Sequence, residues 1–290
     1  MCTFLVENWK DIVVSFIGAF FGFGLALILE YLKKKSDKKK EKDAVLEEMK
    51  KKIEYFKILL EEVFIKSNKQ IELIQQNIEE QSKNYLNLIP LKYIPTNFFT
   101  RLKNIDSRGV FESLIDKFKN DIDWIKKYNE LNSYLDFIEG TFCKELERIN
   151  NTTLKKGFSD LLYIKSLIDE IPNILAEEAR IKTNQLGNSR IYDKEYVFID
   201  SIIKSYSMLV KETSDLDRFD KELLMPILQN IKPFESNGYA IKVILNCKNA
   251  RVRMNDIRND VKYTVSEYQT IINNLKNPLE EINKMIKLLS

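Results

Sequence analysis

The sequence predicts an all-α protein: a single N-terminal transmembrane helix followed by an elongated cytoplasmic helical bundle with coiled-coil-like heptads. Three observations carry that expectation. Ile12 to Leu29 reads IVVSFIGAFFGFGLALIL, eighteen residues without a charge. Beyond it, apolar residues recur at three- and four-residue steps almost throughout, the spacing of one helix face. Only eight glycines and six prolines punctuate 290 residues, and no strand–turn–strand pattern occurs.

As a helix, the apolar stretch would span roughly 27 Å, close to the hydrocarbon thickness of a bilayer. A cleaved signal peptide fits poorly, because the start is not basic and the core ends in Glu30-Tyr31-Leu32 and lysines rather than small residues. The expected organisation is a short external N-terminus (1–10), an uncleaved signal anchor (11–32), a Lys-rich neck (33–43) and a cytoplasmic helical domain (44–290). Trp9 and Tyr31 stand where interfacial aromatics belong. Within the anchor, Gly18-Ala19-Phe20-Phe21-Gly22 is a GxxxG, and Gly18, Gly22 and Ala26 offer a small-residue face. Such a face lets two helices approach closely in lipid, or it touches lipid alone.

Lys33, Lys34, Lys35, Lys38, Lys39, Lys40 and Lys42 follow the anchor, against only Asp37 and Glu41. A lysine excess marks the cytoplasmic side, so the N-terminus is expected outside and the bundle in the cytoplasm. These lysines could also meet anionic lipid. The chain carries 46 Lys+Arg and 43 Asp+Glu, and the whole net charge of +3 is reached by Lys42, with 38 of each sign beyond it. The basic charge is therefore local, and nucleic acid is not an expected partner.

There is no histidine. That removes His-based acid–base and nucleophilic catalysis and any metal site that needs imidazole. Cys2, Cys143 and Cys247 are too far apart in sequence to form a CxxC pair; Cys143 and Cys247 read as small buried residues.

In order, a long amphipathic helix is expected from Ala44 to about Leu88. Its seam runs through Leu46, Met49, Ile53, Phe56 and Leu60, then drifts to Phe64, Ile71, Ile74, Ile78 and Tyr85. No breaker separates it from the anchor, so the neck can be helical too. Pro90, Pro95 and Gly109 bracket a reversal containing a short apolar piece at Phe98, Phe99 and Leu102. A helix follows from near Val110 to about Ile149, with Phe111, Leu114, Phe118, Ile125, Leu135, Ile138, Phe142 and Leu146 inward. Asn150-Asn151-Thr152-Thr153 is expected as a turn with capping residues. Helices over Leu154–Lys182 and Asp193–Ser214 flank a break near 185–192, with Pro172 kinking the first. A further helix enters through Asp215 and bends near Pro226. The last helix has the cleanest repeat: Cys247, Ala250, Met254, Ile257, Val261, Thr264, Tyr268, Ile271 and Leu275, resumed by Ile282 and Leu289.

Chemistry-bearing motifs are sparse. Asp121-Ile122-Asp123 and Asp215-Leu216-Asp217 are close carboxylate pairs, but residues two apart on a helix diverge by about 200° and read as caps or solvated faces. Nucleotide-binding and hydrolase signatures are absent, and no catalytic, cofactor or metal residue is assigned. Lys248, Arg251, Arg258 and Lys262 share one stripe of the last helix. They could meet phosphate, anionic lipid or an acidic partner; the plainer reading is a solvated face partly paired with Asp256 and Asp260.

The anchor GAFFGFGLALIL, the Lys-rich neck, the long helix and the stretches IPTNFFTRL and WIKKYNELN resemble a loose group of prokaryotic single-pass membrane proteins. The resemblance implies an N-terminal anchor with a cytoplasmic helical domain, and some members of that group accompany phage-defence genes. The function expected is a membrane-tethered, non-enzymatic interaction protein, a scaffold or sensor with a bilayer, a possible second copy and a cytoplasmic protein as partners. The alternative is a membrane-perturbing effector, and a carboxylate-only hydrolase ranks third.

Overall fold

In the computed structural model, which describes residues 9–118 and 122–290, the first helix dominates the chain. α1 (Trp9–Lys83) is one uninterrupted helix of 75 residues, about 110 Å long at 1.5 Å per residue. Apolar stretch, lysine neck and amphipathic segment are thus a single rod, since no glycine-turn or proline intervenes. Two short helices follow, α2 (Asn97–Lys103) and α3 (Ser107–Lys117), the latter capped by Asp106, which accepts from the Gly109 N–H. α4 (Ile122–Gly140) continues through a π-helical turn (Thr141–Glu145) directly into α5 (Leu146–Leu186). A 3₁₀ turn opened by Gly187, with φ of 55°, leads to α6 (Lys194–Glu212). Then come α7 (Leu216–Phe219), a second π turn (Asp220–Leu224), α8 (Met225–Asn230), and α9 (Gly238–Leu289), which is 52 residues long. Every element among the described residues is helical.

α9 runs antiparallel to both α1 and the α4–α5 rod, and this places two apolar cores end to end. Its C-terminal half, from Tyr268 to Leu289, packs with Ile53–Val63 of α1, with α2 and α3, and with Trp124–Phe142. Its N-terminal half, from Tyr239 to Val261, packs with Ile164–Leu175, α6, α7 and α8. All eleven seam residues expected in α9 are buried. Pro172 and Pro278 both lie inside continuous helices. The helices on either side of the 187–192 break share one core, with Ile171 and Ile199 both fully buried.

The seam of α1 does not drift as expected. Its buried positions keep a three–four spacing through Ile53, Phe56, Leu60, Val63, Ser67, Gln70, Ile74, Asn77 and Gln81, with Leu59 buried beside them, while Phe64, Ile71 and Ile78 flank the row half-buried. The seam turns polar because it must bind backbone. α1 ends at Lys83, not Leu88, and residues 84–96 run back along it without regular structure. Gln70 donates to the Lys92 carbonyl (3.0 Å) and accepts from the Ile94 N–H (2.8 Å). Asn77 donates to the Ile89 carbonyl (3.0 Å). Gln81 donates to the Asn87 carbonyl (2.7 Å) and accepts from the Ile89 N–H (2.9 Å). Three buried side-chain amides thus take the part a neighbouring strand would play, each satisfied by backbone groups of the returning segment.

The expected turn at Asn150–Thr153 is absent: α5 passes straight through it. Asn150 is buried and accepts the Leu91 N–H at 3.0 Å, and Thr153 and Thr264 hydroxyls meet at 2.7 Å, so these polar side chains serve tertiary partners rather than a cap. The expected helix from Val110 to Ile149 is divided after Lys117, and Ile125 is 39% exposed rather than inward. Leu46 is likewise exposed, at 49%.

Candidate functional site

The apolar first part of α1 stands clear of the bundle. Its most hydrophobic eighteen-residue window has a mean hydropathy of 2.1 and none of it is buried; among the described residues it is the one helix long and apolar enough to cross a membrane. Phe16 and Phe20 are about three-quarters exposed, and space around Gly18 and Gly22 is open, with nothing within 4 Å of a Cβ placed there. Ala26 is exposed as well. All seven neck lysines are exposed, and Lys34 pairs with Glu30 at 2.8 Å.

The basic stripe of α9 has a different setting. The π turn aims Asp220 inward, where it is buried. Arg251 Nε donates to Asp220 Oδ1 (2.7 Å), and Arg258 donates to Asp217 Oδ1 (2.5 Å) and lies 3.6 Å from Asp220 Oδ2. Lys262 sits over the Tyr85 ring at 5.5 Å, while Lys248 is exposed. Both arginines therefore clasp α7 and the adjoining π turn to α9. Asp256 and Asp260 pair with Arg253 and Lys156 instead. Asp215 caps α7 and accepts from Asn84, so both members of that carboxylate pair have structural partners.

A second polar cluster, not legible in the sequence, joins the start of α6, the end of α5 and the start of α9. Glu195 accepts from Lys182 (2.6 Å), Tyr239 (2.6 Å) and Asn237. Burial alone would raise its pKa, but the hydrogen bonds from Lys182, Tyr239 and Asn237 prevail and hold it below the usual value.

Two clefts are open at the surface. One, of about 630 Å³, lies between Asn84–Leu88, Phe158–Lys165 and Thr213–Leu216. The other, of about 720 Å³, lies where Leu46, Met49 and Ile53 meet Lys117 and Leu289. Among the described residues no cluster of His, Cys, Asp or Glu could hold a metal ion. Cys247 is buried, and burial pushes its thiol up to about 12. Cys2 and Asp121 lie outside the described residues. No protein-family model, curated protein or solved structure matches this chain.

Proposed function

We propose that this protein is a membrane-tethered, non-enzymatic interaction module, a scaffold or sensor whose helical bundle is held beside one leaflet of the bilayer. The observation that carries the reading is α1 itself: one unbroken helix, apolar and uncovered over its first part, core-forming over its second. Eleven large apolar side chains between Val13 and Leu29 are at least 40% exposed. Removing each from water is worth about 1.5–3 kcal/mol, so the stretch as a whole favours an apolar surrounding by on the order of 15–30 kcal/mol. Lipid supplies that surrounding along its full length. The seven lysines argue for a cytoplasmic bundle with the residues before the apolar stretch outside.

The test is fractionation and topology. The full chain should stay with membranes through alkaline carbonate, and a reporter fused after Ser290 should be active only in the cytoplasm. Recovery in the soluble fraction, or a C-terminal reporter active outside, would overturn the arrangement. Replacing most of the neck lysines with glutamate should scramble the orientation.

The membrane-perturbing effector is the second reading, favoured by the open small-residue face at Gly18 and Gly22, through which spans could cluster. Growth arrest with dye influx on overexpression would favour it. Capture of a stable partner without toxicity would favour the scaffold.

A further inference from the structure

We infer that Lys35, Lys38, Lys39 and Lys42 form one row on the bundle side of α1 that gathers anionic phospholipid headgroups into the space between the bundle and the bilayer. The inference rests on the tethered reading, which puts this stretch beside a leaflet. All four lysines are exposed, and none forms an ion pair among the described residues. The one neck lysine that does is Lys34, which takes Glu30 at 2.8 Å.

Because α1 is unbroken, the neck keeps a fixed phase to the segment that forms the core. Lys42 precedes Leu60 by about five full turns, so the two share a direction. At about 100° per residue, Lys35, Lys38 and Lys39 fall within about 60° of that direction, as do the buried Ile53, Phe56 and Val63. The acids of the neck do not. Glu30, Asp37 and Glu41 stand about 100–140° away, and Lys33 and Lys40 lie on the far side. A surface groove bears out this phase, since Lys38 and Lys42 line it together with Leu46, Met49 and Asp116 near the end of α3.

Topology alone does not ask for this arrangement. Orientation follows the number of lysines that flank a span, whichever face they occupy. Segregation onto one face matters only to a ligand on that side. At about 1.5 Å per residue the row lies about 5–15 Å beyond Leu32. The headgroup layer is about 5–8 Å thick, and charges act over a screening length of about 8 Å. Lysine stems extend their ammonium groups toward such a surface, where each is worth about fivefold in affinity. Asp116 is the bundle carboxylate in the groove, and it pairs with neither Lys38 nor Lys42. The ammonium groups are therefore open to lipid phosphate and carboxylate.

The experiment uses the full chain in phosphatidylcholine nanodiscs, where the two leaflets are equivalent and topology plays no part. Trace spin-labelled phosphatidylserine or phosphatidylcholine reports the lipid held at the protein surface. The unaltered chain should hold the serine lipid several-fold more than the choline lipid. Two pairs of substitutions then remove equal charge at nearly equal depth and differ only in face. Lys35→Gln with Lys39→Gln should lower the preference several-fold, whereas Lys33→Gln with Lys40→Gln should leave most of it. All these positions are exposed, so the helical circular dichroism should not change. Sodium phosphate should compete no better than sodium chloride of equal ionic strength. No preference in the unaltered chain, equal loss from the two pairs, or competition specific to free phosphate would each overturn the row. Carbonate extraction of cell membranes scores the tethered reading separately, so a chain that is anchored but shows no lipid preference loses only the row.

Discussion

Glu195 shows how much one carboxylate holds in a bundle with few loops. It ties the ends of three helices, α5 through Lys182, α6 through its own backbone and α9 through Asn237 and Tyr239. Its pKa is depressed in the fold, so its contribution is complete above the ordinary glutamate value of 4.5 and is lost as pH falls through the lower folded value. Chemical denaturation at a series of pH values should show that loss below about 4.5, and Glu195→Gln should make it shallower while costing about 1–3 kcal/mol at neutral pH. Gly157 is a second point of close approach. A Cβ there would drive into Leu88 Cδ1, at the crossing of α5 and the returning segment. Gly157→Ala should leave stability within about 1 kcal/mol, because Leu88 Cδ1 is the end of a flexible side chain beside an open cleft and can turn aside while alanine gains helix propensity, a balance that thermal unfolding can read directly. Neither residue stood out in the sequence, because a glycine or glutamate acquires such a role only from what is folded against it.

At the scale of elements, the amide row of α1 is the least expected feature. Gln70, Asn77 and Gln81 occupy seam positions that in a plain amphipathic helix would be apolar, and this is why the hydrophobic pattern seemed to slip toward Phe64 and Ile71. The three–four spacing was present all along; the polar type at those positions concealed it. Gln81→Leu would fill the space but leave the half-buried Ile89 N–H and the Asn87 carbonyl to water, at a cost of about 0.5–1.5 kcal/mol each. Hydrogen exchange should therefore quicken at Ile89, while the amides of α9 keep their protection. α9 behaves as its repeat implied. Met254 and Val261 lie at 0% and 1% exposure, so Met254→Lys or Val261→Lys should destabilise the bundle by several kcal/mol in equilibrium unfolding.

For the molecule as a whole, the bundle and the apolar rod make separable expectations. A fragment from Asp43 onward retains both cores and should be soluble and overwhelmingly helical by circular dichroism; a substantial β signal would contradict the fold. The all-α class, the uncovered apolar stretch, the continuity of the neck and the core face of α9 could all be read from the sequence. Each depends on the periodicity or composition of neighbouring residues, which the chain carries locally. What only the tertiary structure decided was how the long helices pair, that Asn150 and Thr153 bridge helices instead of ending one, that Arg251 and Arg258 are engaged by Asp217 and Asp220, and that the polar seam of α1 grips residues 84–96. These depend on contacts between residues dozens of positions apart. A side chain's hydrogen-bonding capacity is written in the sequence, but its partner is chosen by packing, which brings one donor and one acceptor together and leaves the others in water.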